Sequence, residues 1–477
     1  MQFFGLAIQT ESDIIRLYFR KVMKGVNAMT KDMTTGSPVR LIIGFALPML
    51  AGMLFQQLYN FVDTMIVGRF LGVEALAGVG ATGSINFLVL GFCMGVCAGF
   101  SIPVAQCFGA KDENRMHEYE ANGMYLAAAF AVVITTVTVL LCRNILEAMD
   151  TPQDCFEQAY DYISVIFAGI PFMVLYNLTS GYLRSLGDSR TPLVFLVLSS
   201  VLNVVLDLVL ILVFHMGVKG ASLATVISQA VSGLLCLLWI VWKVPALHIR
   251  GEQWRIKGIR MQMLCSCGIP MGLQYSITAI GSVVLQTAVN SLGSLAVAAM
   301  TASFKVQNFL ACPFDALGST MATYGAQNVG AGRYERLGRG LISASLIGFV
   351  YSGAAFALAV FAGDNFVQLF VSGGGEELIR MAHEFMMVQV AFYPLLTLVN
   401  VVRFMIQGMG FSSFAVIAGA LEMIARTFTG IFLVPAFGFA GVMMGSPIAW
   451  VLADAFLIPA YFGCKKTLMS KIHAMKK

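Results

Sequence analysis

The sequence predicts an all-α polytopic membrane protein with twelve transmembrane helices in two six-helix lobes. Three features predict it: the composition, the spacing of the apolar runs and an internal repeat. Of the 477 residues, 58% are hydrophobic and only 12% charged, and the mean hydropathy is +0.81. Soluble chains carry about 25% charged residues, so a water-soluble fold is excluded. Apolar runs long enough to cross a bilayer, about 20 residues each, recur along the chain between short polar or Gly/Pro-marked breaks. None alternates as the strands of a membrane barrel do; "MYLAAAFAVVITTVTVLLC" has no period of two.

A basic, Met-containing segment, 1–37, comes first; it lacks the apolar stretch and small-residue cleavage site of a signal peptide. Six predicted spans follow at 39–67, 76–106, 119–141, 160–183, 191–214 and 220–242, and together 38–242 form the N-lobe. The basic stretch 243–260 is a linker. The C-lobe, 261–463, holds spans at 261–291, 296–325, 339–362, 380–408, 413–434 and 440–462, before a basic tail, 464–477. With the N-terminus in the cytosol, 24 Lys and Arg fall inside, Arg184 and Arg403 among them, and four outside. That asymmetry predicts cytosolic termini and a cytosolic linker in a cell (inner or plasma) membrane. It also accounts for the net charge of +5, which leaves a nucleic-acid partner without support.

The lobes repeat at an offset of 221 residues. "LGVEALAGVG" (71–80) overlays "LGSLAVAAMT" (292–301), "VAQCFGA" (104–110) overlays "GAQNVGA" (325–331), and "MGVKGASLAT" (216–225) overlays "FGFAGVMMGS" (437–446). Six helices per lobe is an even number, so both lobes insert with the same orientation, a parallel repeat found in transporters with the substrate cavity between the halves.

Ionisable residues inside a bilayer are costly and need a partner, a proton or a task. In "QQLYNFVDTMIVGRF" (56–70), Gln56, Tyr59, Asn60 and Asp63 share one helical face, and a polar stripe on a spanning helix faces protein or water. In "LNVVLDLVLI" (202–211), Asn203 stands four residues before Asp207, and Asn177 lies in the fourth span. Their oxygens suit a proton or a hard cation such as Na⁺; interhelical hydrogen bonding is the plainer use of the amides. Glu422 and Arg426, spaced i,i+4, read as a structural ion pair. Asp315 is a candidate for the cavity lining, and Asp454 fits either lining or helix packing. Pro48 and Pro270 are candidate kinks.

The ten cysteines are scattered through apolar spans and read as small buried hydrophobes, with no metal-ligand spacing. No HExxH, P-loop or catalytic triad pattern is present, so no enzymatic activity and no cofactor is expected.

Across nearly the whole chain, "NFVDTMIVGRFLG" (60–72), "AQCFGAKDENRMHE" (105–118), "GYLRSLGDSRTPL" (181–193), "LNVVLDLVLI", "GAQNVGAGRYERL" (325–337) and "IQGMG" (406–410) resemble the multidrug and toxic compound extrusion (MATE) family. The resemblance implies two lobes that open a central cavity alternately to each side and export small-molecule amphipathic organic cations in exchange for H⁺ or Na⁺. It is closest to the DinF-like and archaeal branch, whose N-lobe cation site corresponds to Asp63, Asn177, Asn203 and Asp207, with Gln56 and Thr225 beside it. Tyr59, Gln274, Gln286 and Asp315 are then expected to line the cavity. A monomer in the lipid bilayer is expected. The related lipid-linked oligosaccharide flippases are the alternative; they would need basic residues for pyrophosphate, whereas the acids Asp63, Asp207, Asp315, Glu422 and Asp454 within the spans outweigh Lys305 and Arg426 there.

Overall fold

The computed structural model of the protein describes residues 30–149, 151–368 and 376–475. Most of the expected N-terminal segment, 1–29, therefore lies outside the described residues. Ser37 leads with extended backbone into α1 (Pro38–Leu71), where Pro38 occupies the first helical position; its fixed φ suits that place and its missing N–H is not needed there. Gly72, at φ +90°, turns the chain into α2 (Val73–Ala81). There follow α3 (Gly83–Ala110), α4 (Glu113–Leu140), α5 (Cys142–Ala148), α6 (Phe156–Ala168), α7 (Ile170–Ser185), α8 (Arg190–Leu208) and α9 (Val218–Lys243). The second half consists of α10 (Gly258–Asn290), α11 (Ser294–Gly330), α12 (Glu335–Gln368), α13 (Glu376–Ala391), α14 (Tyr393–Gly408), α15 (Ser413–Phe428), α16 (Val434–Phe437), α17 (Phe439–Met443) and α18 (Gly445–Met475). No strand occurs among the described residues.

Ten helical stretches are long and apolar enough to cross a membrane, and twelve if each of two bent pairs counts as one span. The pairs are α6 with α7, bent by 47°, and α13 with α14, bent by 50°. Proline at the start of the second helix explains both: Pro171 and Pro394 cannot donate to the preceding turn. Pro48 and Pro270, the expected kinks, lie inside the uninterrupted helices α1 and α10.

The repeat is visible in the backbone. Gly72 and Gly293, 221 residues apart, have φ of +90° and +95°, and Gly217 and Gly438 both have φ +58°. A single π-helical turn follows α8 at Val209–Val213 and α15 at Thr429–Leu433. The lobes meet where α3 packs along α10. There Gly95 and Gly99 face Gly272 and Gly268, and a Cβ on either α3 glycine would run into the opposing backbone. Small residues four apart allow backbones this close, and in lipid such packing holds helices together without a hydrophobic driving force.

The linker is docked. Glu118 of α4 accepts from Lys257 (2.6 Å) and Arg260 (2.9 Å), and the Asn122 side chain bonds the backbone of Arg255 and Lys257. All ten cysteines are free and nine are buried.

Candidate functional site: a central cavity with a carboxyl pair in its wall

A cavity of about 520 Å³ is walled mainly by N-lobe helices, with α10, α11 and α14 contributing from the other side. Its size lies within the range of small-molecule sites, roughly 300–1,000 Å³. On α1, Gln56, Tyr59, Asn60 and Asp63 all line it, as their shared face requires. Asn177 from α7 and Thr225 from α9 join them. Asn203 and Asp207 stand just behind this wall, at 1% and 0% exposure. Asn203 Nδ2 donates to Thr225 Oγ1 at 3.4 Å, which ties α8 to α9.

The carboxyl groups of Asp63 and Asp207 lie within hydrogen-bonding reach of each other. Among the described residues no other donor serves them: Asp63 Oδ1, both oxygens of Asp207 and Asn203 Oδ1 are buried without a partner. Two desolvated carboxylates that close repel, and one proton or one cation between them relieves both the repulsion and the lost hydration. The donor set therefore fits H⁺ or a hard cation with oxygen ligands. Asp207 occupies the last turn of α8, directly before the π-helical turn, a local irregularity that recurs at functional positions.

The other expected lining residues are placed differently. Gln274 is buried and accepts from Gln407 Nε2 at 2.6 Å, away from the cavity wall. Gln286 is half-buried near the end of α10 and bonds Asn290 at 2.9 Å. Asp315 on α11 is exposed, off the immediate wall but within electrostatic reach of the wall residue Tyr275.

Four functional candidates escaped sequence reasoning. Tyr162 of α6 lines the cavity within electrostatic reach of both Asp63 and Asp207. Arg184, read from the sequence as part of the cytosolic charge, lines the cavity at the end of α7. Glu120 is buried on α4 with both carboxyl oxygens unpartnered. Arg403, also read as cytosolic, is 5% exposed within α14 and forms an ion pair with Glu422. Arg426 approaches the other oxygen of Glu422 at 3.6 Å, so the expected pair is a triad. Asp454, beside it on α18, is buried with both oxygens unpartnered.

At one end the cavity is sealed. Gln106 Nε2 of α3 donates across the lobes to Gly408 O at 3.0 Å, and Gln327 Nε2 of α11 donates back to Ser185 O at 2.8 Å. Residues 31–36 cross the same seam. Lys31 N bonds Leu186 O in the N-lobe, Met33 N bonds Gln327 Oε1, and Arg333 and Arg336 hold Thr34 O and Gly36 O from the C-lobe.

Comparison with known proteins agrees with this architecture. A solved outward-facing conformation of a multidrug resistance MATE family transporter superposes with a TM-score of 0.86 at 23% identity, covering 93% of this chain and 100% of that one. The "Probable multidrug resistance protein YoeA" of Bacillus subtilis is 27% identical over 358 residues, 74% of this chain and 77% of the relative. "Probable multidrug resistance protein YpnP", also of Bacillus subtilis, is 29% identical over 64% of this chain and 68% of the relative. An "FAD transporter" of Shewanella oneidensis is 24% identical over 64% of this chain and 68% of the relative. The MatE family profile matches residues 48–209 and 270–439, one block per lobe, and the chain belongs to the MatE family of multi-pass membrane transporters.

Proposed function

We propose that the protein exports amphipathic organic cations by antiport, driven by H⁺ or Na⁺ bound at Asp63, Asp207, Asn203 and Asn177. The observation that carries this reading is the carboxyl pair itself: two acids from different helices, one in the wall of the central cavity and one just behind it, with no other donor to them among the described residues. A buried pair of this kind changes its ion affinity when water reaches it from a different side. Such a difference in affinity between two conformations is what shifts their populations; tight binding alone does not. The sealed end between Gln106 and Gln327 is the inward gate in this reading, with the termini and linker in the cytosol and the cavity open outward. One chain supplies both lobes, so a monomer suffices. The multidrug names of the Bacillus relatives support export of drugs, and a lipid-linked oligosaccharide flippase is not favoured.

Proteoliposomes holding the purified protein and a fluorescent lipophilic cation test the reading under separately imposed Na⁺ and pH gradients. One gradient should drive uptake against the concentration of the dye in wild type, and Asp207→Asn should abolish the drive while leaving expression intact. Gradient-driven flux at wild-type rate in a well-expressed Asp207→Asn protein would overturn it.

A further inference from the structure

The cavity has a second pole. Asp63 and Arg184 are the two charged side chains of its wall among the described residues. They stand far apart. The α1 lining runs from Pro48 to Asp63, a rise of about 22 Å, with Asp63 toward the far end of that helix. Arg184 is at the opposite, sealed end, one residue before the carbonyl of Ser185 that accepts from Gln327.

Arg184 is only half-buried, and its neighbours are polar but uncharged: Tyr176 and Tyr275 with the thiols of Cys97 and Cys236. Among the described residues no carboxylate pairs with it and no hydrogen bond reaches its guanidinium. The other arginines inside the protein are treated differently, since Arg403 and Arg426 share Glu422. A permanently charged guanidinium, with a planar fork of donors suited to carboxylate or phosphate, is thus left facing the transport cavity. Leaving such a group unpaired is costly unless something anionic joins it.

We infer that Arg184 is an anion-binding subsite at the sealed end of the cavity, and that preferred substrates are soluble zwitterionic amphiphiles: a carboxylate or phosphate on Arg184, an aromatic body along Tyr176 and Tyr275, and positive charge toward Asp63. The inference rests on the central cavity being the substrate path, and does not depend on which ion drives transport.

The test is equilibrium binding, with no gradient. Rhodamine B, whose free carboxylate makes it a zwitterion, is compared with its cationic methyl ester by fluorescence anisotropy on the purified protein in detergent. The rings are the same, and apolar partitioning alone favours the ester. A charge-assisted hydrogen bond predicts tighter binding of the acid by about tenfold to a hundredfold. Arg184→Gln should erase that preference, with an unchanged size-exclusion profile reporting an intact fold; Arg184→Lys should retain part of it. A wild-type protein that binds the acid no better than the ester overturns the subsite, as does an Arg184→Gln protein that loses both equally. Displacement of the acid by dioleoyl phosphatidylglycerol would overturn the assignment to a soluble substrate and give the subsite to a lipid phosphate. Failure of ion-driven flux with this binding pattern intact would count against the antiport reading alone.

Discussion

Gln106 and Gln327 occupy equivalent positions in the two halves, 221 residues apart, and each reaches into the opposite lobe for a backbone carbonyl. Gln106 takes Gly408 O at the end of α14, and Gln327 takes Ser185 O at the end of α7. The backbones beside them interlock by the same symmetry: Gly109 lies against Gln327, and Gly330 against Gln106, so closely that a Cβ on either glycine would overlap the opposing main chain. An ancestral six-helix unit meeting its copy would make this contact twice. The closed end is thus a repeat feature, reinforced by the strap 31–36.

Weakening this seal should shift the protein toward the conformation open at that end. The double variant Gln106→Ala/Gln327→Ala removes two hydrogen bonds of about 1 kcal/mol each, enough for a roughly thirtyfold change in the ratio of conformers. Spin labels at Lys111 and the exposed Glu335 would read it as a longer distance population. Gly330→Val should do the same by overlap with Gln106. An unchanged distance distribution in both would mean that other contacts set the closed state.

At the carboxyl pair, Asp63→Asn and Asp207→Asn should behave alike. Either amide can satisfy the remaining carboxyl without a bound ion, so the gradient no longer changes the energy of the site. Flux should fall by more than tenfold, while binding of an uncharged dye persists. If only one of the two variants loses coupled flux, the ion is held by a single carboxylate and the pair is structural.

Periodicity made the N-lobe site legible. Asp63 was placed on the face of Gln56 and Tyr59 by helical spacing alone, and the structure keeps those three with Asn60 on the cavity wall. The duplicated frame was equally legible, because it lives in Gly72 and Gly293, whose positive φ excludes most side chains. Arg184 and Arg403 each come near the end of an apolar run, where a charge bias cannot distinguish a solvated arginine from one that lines a cavity or pairs with a buried acid. The family resemblance puts Gln274 in the cavity lining; its partner Gln407 is 133 residues away, and no local pattern announces such a bond.

Outside the membrane, Asp112 caps α4. Its side chain accepts from Arg115 N at 3.0 Å, and the backbone and guanidinium of Arg115 hold its carboxyl below the ordinary value. A lowered acid contributes stability that is present above its unfolded pKa and fades as pH falls through the folded one. Asp112→Ala should cost about 1 kcal/mol near neutral pH and less in acid, and thermal unfolding of the solubilised protein across pH would show the two curves converging on the acid side.

The C-lobe triad makes the sharpest contrast with the N-lobe pair. Glu422 is 3% exposed and neutralises two buried arginines, Arg403 from α14 and Arg426 from its own helix, while Arg426 also donates to Thr278 O of α10. One carboxylate therefore joins three helices. Glu422→Gln keeps the shape but leaves two guanidinium groups facing each other in a desolvated site, and breaking a buried pair on one side costs about 3–5 kcal/mol. Expression and thermal stability should drop sharply. Replacing Arg403 as well, in Glu422→Gln/Arg403→Gln, removes the surplus charge and should recover much of the loss. Asp454 and Asp315 set the limit of that recovery: both are acids within electrostatic reach of Arg403, so a nearby positive charge disappears for each in the double variant and part of the penalty stays. Size-exclusion profiles and unfolding temperatures of the single and double variants decide the matter. A stable Glu422→Gln protein that has lost ion-driven flux would make this cluster part of the coupling machinery instead of a clamp between helices.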